Sequence, residues 1–225
     1  IDRTPATDPL PGTNNMTYDN GADINGLAYA YAGATVTLNY TGEVGTGYHV
    51  EYSTTAGTLE GNTLTMPSED VTVSAVISVL YIDADGNLQY CTDFTVIKSS
   101  NHNVSYSGGW YLVTDDVTIK GNNYNYALQF EGDTHLILCD GASLTASLAL
   151  QRVQGRSYMV KVSGNLTIYG QSEGTGTLTT SNTIGGRVVG NLNTQISGIY
   201  SHGNMTINGG IVQASATDKN PQSKI

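Results

Sequence analysis

One line of this sequence is written twice. Gly164-Asn165-Leu166-Thr167-Ile168-Tyr169-Gly170 returns as Gly203-Asn204-Met205-Thr206-Ile207-Asn208-Gly209, with five of the seven positions identical and a sixth exchanging Leu for Met. In each copy apolar residues alternate with Thr and a Gly closes the run. This is the pattern of a half-buried strand ending in a tight turn. A unit of that size cannot bury its apolar face alone, so its copies must stack on their neighbours. The second half of the chain is therefore expected to be a solenoid of stacked β rungs.

Composition supports an all-β reading. Charged residues make up only 12% of the chain, about half the usual share. Gly occurs 27 times and Tyr outnumbers Phe by 15 to 2. β-branched and aromatic strand formers with Gly and Asn at turns are the palette of extracellular β proteins. The net charge of −10 is uneven: residues 1–97 carry twelve acidic residues against Arg3, whereas residues 98–225 sum to +1. An acidic first part argues against a nucleic acid or an anionic membrane as partner. No apolar run is long enough to span a bilayer, so no transmembrane segment is expected. The chain starts Ile-Asp-Arg without a signal peptide. It reads as an excerpt of a longer precursor, with its targeting signal expected upstream and further rungs possible downstream. Cys91 and Cys139 fall in different expected modules and read as two separate thiols rather than a disulfide framework, although a bridge between them is open.

Residues 1–18 hold three of the five prolines and read as a linker. Residues 19–98 read as a small β-rich module. Its strand signals are Thr35 to Tyr40, Tyr48 to Tyr52, Thr63 to Met66 and Val71 to Val76, and it ends in a hairpin turning at Asp83-Ala84-Asp85-Gly86-Asn87. Gly33-Ala34-Thr35-Val36-Thr37-Leu38, Gly47-Tyr48, Gly61-Asn62-Thr63-Leu64-Thr65-Met66-Pro67 and Asp70-Val71-Thr72-Val73-Ser74-Ala75 together resemble the divergent internalin-type B-repeat of bacterial surface proteins. That resemblance implies a spacer at a cell surface.

Residues 99–225 are expected to form the rungs. Val117-Thr118-Ile119, Leu136-Ile137-Leu138, Leu166-Thr167-Ile168 and Met205-Thr206-Ile207 are read as one column of strands, at spacings of 19, 30 and 39 residues. A second column follows Gly turns at Leu144 to Ala146, Leu178 to Thr180 and Val212 to Ala214. The longer intervals call for inserted loops, placed near 147–160 and 181–197. Like strands one rung apart stack in parallel, which favours a right-handed β-helix. The expected fold is thus all-β: a small β-sandwich-like or β-grasp-like module followed by a short right-handed parallel β-helix. Its core would be Val117, Ile119, Leu136, Leu138, Leu166, Ile168, Leu178, Met205, Ile207 and Val212, with Trp110-Tyr111 capping the open end. Gly109 to Val113, Gly132 to Gly141, Leu166 to Gln171 and Met205 to Gly210 resemble repeat-rich secreted or surface proteins of anaerobic gut bacteria, of the carbohydrate-binding or adhesin-like type. The array departs from them in stopping after one Thr-Ile-Asn-Gly-Gly rung. The resemblance implies an extracellular or cell-surface location.

Parallel β-helices host pectin lyases and polygalacturonases, whose sites need carboxylates converging from neighbouring rungs. The candidates are Asp115, Asp116, Glu131, Asp133, Asp140, Glu173 and Asp218. The only adjacent pair, Asp115-Asp116, should point to opposite faces of a strand. Ser201-His202-Gly203 resembles the His-Gly step of polygalacturonases, but the acidic motifs of that family are absent. An EF-hand starting at Asp83 would need Glu where Phe94 stands. The four histidines have no metal-ligand spacing. No catalytic residue, metal ligand or cofactor is assigned. The remaining candidate is a glycan-binding face built from Tyr158, Tyr169 and Tyr200 as rings, with Arg152, Arg156, Lys161 and Arg187 in or beside the inserted loops. Two readings of different class follow: a non-catalytic adhesin-like protein that binds polysaccharide or host glycan, and a structural stalk with no ligand of its own. A polysaccharide lyase or hydrolase is the third.

Overall fold

The computed structural model describes residues 2–3, 6–7, 16–19, 22–24, 27–40, 47–122, 125–150, 156–184 and 195–217. All of its regular structure is β, and it divides into two compact units, Ile1–Val79 and Leu80–Ile225. Among the described residues no helix is long and apolar enough to cross a membrane.

The first unit is mainly antiparallel. Met16–Asp19, Thr35–Tyr40, Thr63–Thr65 and Thr58–Glu60 lie side by side in that order in one four-stranded sheet. In a second sheet Tyr48–Thr54 pairs antiparallel with Val73–Ile82 from Val73↔Thr54 to Val79↔Tyr48. Alternation sets which side chains go inward: Val36, Leu38, Leu64, Met66, Val71, Val73 and Ala75 form one buried cluster, with Tyr40, Val50, Tyr52 and Leu59 packed on it. The residues expected to be a linker are partly strand. Asp2–Arg3 pairs with Tyr29 and Ala30, Ala6–Thr7 runs parallel to Val73 and Ser74, and Met16 lies opposite Tyr40.

The second unit is built from two parallel sheets that the chain visits in turn. Four successive tiers can be followed. The first is Val104–Val113 and Asp116–Gly121. The second is Tyr126–Leu138 and Ser143–Leu150. The third is Arg156–Val162, Leu166–Gly170 and Thr177–Ile184. The fourth is Gln195–Ser201, Met205–Ile207 and Ile211–Ala214. Each tier has three stretches: the long strands of tiers one and two bend near Gly108 and Gly132, where tiers three and four break into two strands at Gly164 and Gly203. Those glycines are forced by space. A methyl group on Gly108 would sit 2.8 Å from the Asp133 carbonyl oxygen, and one on Gly203 would sit 2.5 Å from Asn165 Oδ1.

The register corrects the expected columns. Val117 and Ile119 pair with Leu144 and Ala146, so they belong to the third stretch. The Leu136, Ile168 and Ile207 column instead begins with Tyr111. The apolar-Thr-apolar triplet occurs in both of these columns, as Leu166-Thr167-Ile168 and as Val117-Thr118-Ile119, so alternation alone could not assign a triplet to its column. The intervals expected as loops are strand at their margins, because Ser143–Leu150, Arg156–Val162, Thr177–Ile184 and Gln195–Ser201 all extend into them, while residues 151–155 and 185–194 lie outside the described residues. Trp110-Tyr111 is not an end cap either: Thr95–Val96 pairs in parallel with Tyr111-Leu112 on its outer side.

Of the expected core, Val117, Ile119, Leu136, Leu138, Leu166, Ile168 and Leu178 are buried, whereas Met205 and Ile207 are 43% and 51% exposed. These two lie on the fourth tier, beyond which no described strand stacks. The hairpin Leu80–Cys91 belongs with the tiers and not with the first module, so the division falls after Val79 and not after residue 98. Its turn is closed as expected: Asp83 Oδ1 accepts from the amides of Asp85 and Asn87 at 3.0 and 2.8 Å, and Gly86 takes φ +81°.

Candidate functional site: the outward face of the tiers

The seven-stranded parallel sheet turns one set of side chains into the core and the alternate set outward. On the stretch before the glycine bend, Leu128 and Phe130 are buried inward and pair with Val160 and Val162. The alternate residues Gln129, Lys161 and Tyr200 then fall one above another in tiers two, three and four. With strands about 4.8 Å apart, these three groups span about 10 Å. They are linked. Lys161 Nζ donates to Gln129 Oε1 at 3.0 Å, and Gln129 Nε2 donates to Glu131 Oε1 at 2.8 Å. Ser105 Oγ of tier one reaches the same Glu131 oxygen at 3.4 Å. Each link fixes a rotamer, so a row of amine, amide, carboxylate and hydroxyl groups stands preordered on one face. Gln129 is itself buried by its neighbours, whereas Glu131 is exposed and Lys161 and Tyr200 are half-buried.

The expected glycan-binding residues divide on this face. Lys161 and Tyr200 are adjacent in register, and Arg156 is exposed at the start of the same strand, opposite Gln195. Tyr158 is buried, with its ring 4.7 Å from that of Tyr200, so it serves as backing and not as an open ring. Arg152 and Arg187 lie outside the described residues. Gln129 and Ser105 were missed, and Glu131 was weighed only as a carboxylate for catalysis and not for this face. The alternation Leu128-Gln129-Phe130-Glu131 was their signal, and it fell outside the stretch read as strand.

Tyr169 does leave the core side of its strand, but it is covered. On the stretch after the bend, Trp110 and His135 are opposite one another in register, and their rings stack at 4.3 Å. Tyr169 stacks on both, at 5.3 and 5.9 Å, and Tyr81 of the hairpin closes on Trp110 and Tyr169 at 5.0 and 4.8 Å. The Tyr169 hydroxyl is within 3.0 Å of His135 Nδ1. Rings stacked along the tiers hide their faces from solvent, and a sugar needs an open face. This cluster therefore clamps the hairpin onto the sheet, assisted by Gln171 Nε2 donating to the Leu80 carbonyl at 2.9 Å. Burial pushes the His135 imidazole below its ordinary value, with Asp133 pulling the other way. Burial likewise raises the Tyr169 and Tyr81 phenols.

Of the carboxylates weighed for catalysis, Asp133 and Asp140 brace the backbone, Asp115 and Asp116 hold neighbouring hydroxyls, and Asp218 lies outside the described residues. Asp133 Oδ1 accepts from the Asn165 amide at 2.8 Å and from its side chain at 3.1 Å, which holds the Asp133 carboxyl below the usual range. Asp140 accepts from the amides of Glu173 and Thr175 at 2.9 and 3.1 Å. Asp116 Oδ1 accepts from Ser143 Oγ at 2.6 Å, and Asp115 Oδ2 accepts from Thr114 Oγ1 at 2.9 Å. Among the described residues no three His, Cys, Asp or Glu side chains gather to hold a metal ion. Cys91 and Cys139 are both buried free thiols, and burial pushes Cys139 up to about 12.

Comparison with protein-family models, with curated proteins and with solved structures gives no match to this chain.

Proposed function

We propose that the second unit is a short right-handed parallel β-helix that binds a polysaccharide or host glycan on its outward face without transforming it. The first unit would act as a surface spacer. The observation that carries this reading is the row Gln129, Lys161 and Tyr200, with Glu131 and Ser105 beside it. Sugar hydroxyls are bound by fixed donors and acceptors, and an anionic sugar gains a charged hydrogen bond from the ammonium of Lys161 or the guanidinium of Arg156. The β-helix assignment is supported by the parallel register of every tier and by the regular return of the chain to each sheet. Its right hand follows from the rule for parallel crossovers. A secreted or cell-surface location rests on the Tyr, Thr and Asn-rich, charge-poor composition.

The test is a glycan array that includes acidic plant and mucin polysaccharides, run with the intact chain, Lys161→Ala and Tyr200→Ala. Selective binding that falls about tenfold or more in both variants is expected. Binding indifferent to both substitutions would remove this face from consideration. A second reading, a ligand-free stalk, has its own observation. The Asp133, Asn165 and Asn204 ladder and the closed aromatic stack spend polar and aromatic groups on rigidity. That reading predicts a folded chain that holds no glycan.

A further inference from the structure

Lys161 and Glu131 carry opposite charges on neighbouring tiers and do not meet. Gln129 is in register with Lys161, and Glu131 lies two residues further along the strand of Gln129. With strands about 4.8 Å apart and a rise of about 3.3 Å per residue, their backbone positions are about 8 Å apart on the diagonal. Long side chains reach across such a diagonal, so the two charges could gain from closing into a direct pair. Instead the Gln129 amide stands between them. Its Oε1 accepts from Lys161 Nζ at 3.0 Å, and its Nε2 donates to Glu131 Oε1 at 2.8 Å. Neither charge is ion-paired with a described residue. Gln129 is only 8% exposed, so its surroundings hold the spacer in place. An ammonium with N–H groups still to place and a carboxylate with one oxygen still open therefore stand at a fixed separation on one face.

The two charges have different neighbours. Glu131 is in register with Ser107 of tier one, and Ser163, the residue after Val162, stands beside it on tier three. Both serines are exposed, and Ser105 Oγ reaches Glu131 Oε1 at 3.4 Å. A carboxylate ringed by hydroxyls suits the hydroxyl and amide N–H groups of an uncharged sugar. Lys161 instead shares its strand with the exposed cation Arg156. A carboxylate seated at Lys161 gains a charged hydrogen bond. A carboxylate seated at Glu131 meets a like charge.

We propose that this face selects a linear polysaccharide in which an acidic sugar alternates with an uncharged one. The acid sits at Lys161, and its uncharged neighbour sits at Glu131, Ser107 and Ser163. This rests on the reading of the face as a glycan site and adds the pattern of charge along the bound chain. A polymer with an acid on every sugar has to bring one carboxylate against Glu131. A neutral polymer leaves Lys161 without an anion.

The probes are size-matched fragments of three polymers. Hyaluronan alternates a uronate with an uncharged acetylated amino sugar, polygalacturonate is acidic at every sugar, and dextran is neutral. Binding to the intact chain is measured by titration calorimetry at one fixed salt concentration. Hyaluronan is expected to bind about tenfold more tightly than either of the others. Glu131→Gln keeps an acceptor oxygen and removes the charge, and Ser163→Lys sets a cation beside it. Each should narrow the gap between hyaluronan and polygalacturonate to about threefold or less. Both positions are exposed, so the fold is expected to persist, and the fluorescence of Trp110 checks it. Polygalacturonate or dextran bound as tightly as hyaluronan, or a gap that ignores both substitutions, would overturn the charge pattern and leave the glycan-binding face standing. A folded chain that binds none of the three would overturn the pattern as well, and if the glycan array is also silent the glycan-binding reading falls with it.

Discussion

Ile168→Ala and Ile207→Ala make the same chemical change at equivalent positions of two adjacent tiers, and the structure gives them different costs. Ile168 is fully buried, in register between Leu136 below and Ile207 above. Removing three carbons forfeits about 2.4 kcal/mol of transfer free energy at about 0.8 kcal/mol per methylene. The neighbours belong to fixed strands and cannot close the gap, so a cavity term adds to this and brings the loss to about 3–4 kcal/mol. Ile207 is 51% exposed. About half of the transfer term applies there and water fills the space, so the loss is about 1 kcal/mol. Urea unfolding followed through the fluorescence of Trp110 reads this directly. Trp110 is the single tryptophan of the chain, and it stacks on His135 within the tiers. The midpoint should fall by about 1 M or more for Ile168→Ala and by well under half of that for Ile207→Ala, at unchanged slope. Equal shifts would refute the tier register, since they would require the two isoleucines to be equally enclosed.

Two further outcomes follow from single positions. A methyl group on Gly176 would lie 2.5 Å from the Cys139 carbonyl oxygen and 2.6 Å from that of Leu138, both backbone atoms. Gly176→Ala should therefore lower the urea midpoint by the equivalent of about 1–3 kcal/mol, and an unchanged midpoint would show that the turn before Thr177–Ile184 yields freely. Burial holds the His135 imidazole below 6.5, so the unfolded chain takes up that proton first. The stability it contributes is complete above about pH 6.5 and is lost as the pH falls toward the depressed folded value. His135→Gln should flatten the fall of the urea midpoint with pH in that window, and a slope that persists in the variant would assign the fall to another group.

Much of the architecture was legible because it is local. The alternation in Leu166 to Gly170 and in Met205 to Ile207 marked two strands correctly, and their near-identity required them to stack. The Asp83 to Asn87 turn was readable for the same reason, since its hydrogen bonds join residues two to four apart. The assignment of Val117 and Ile119 failed where the information is not local. Their partners, Leu144 and Ala146, carry no mark separating them from any other apolar alternation, and pairing is settled by which strands the turns can bring together.

The candidate site shows the same division. The sequence by itself determined an all-β chain and the stacking of its repeated strands, because those follow from side-chain period and from the need to bury one face; it named Lys161 and Tyr200 as candidates, and the register then set them side by side. Only the tertiary structure decided that Tyr169 is enclosed by Trp110, His135 and Tyr81, that Tyr158 backs Tyr200, and that Gln129 meets Lys161. The physical reason is that exposure belongs to pairs of segments. Tyr169 and Tyr81 are 88 residues apart in the chain and 4.8 Å apart in space, so whether an outward ring is open depends on what a distant hairpin lays over it.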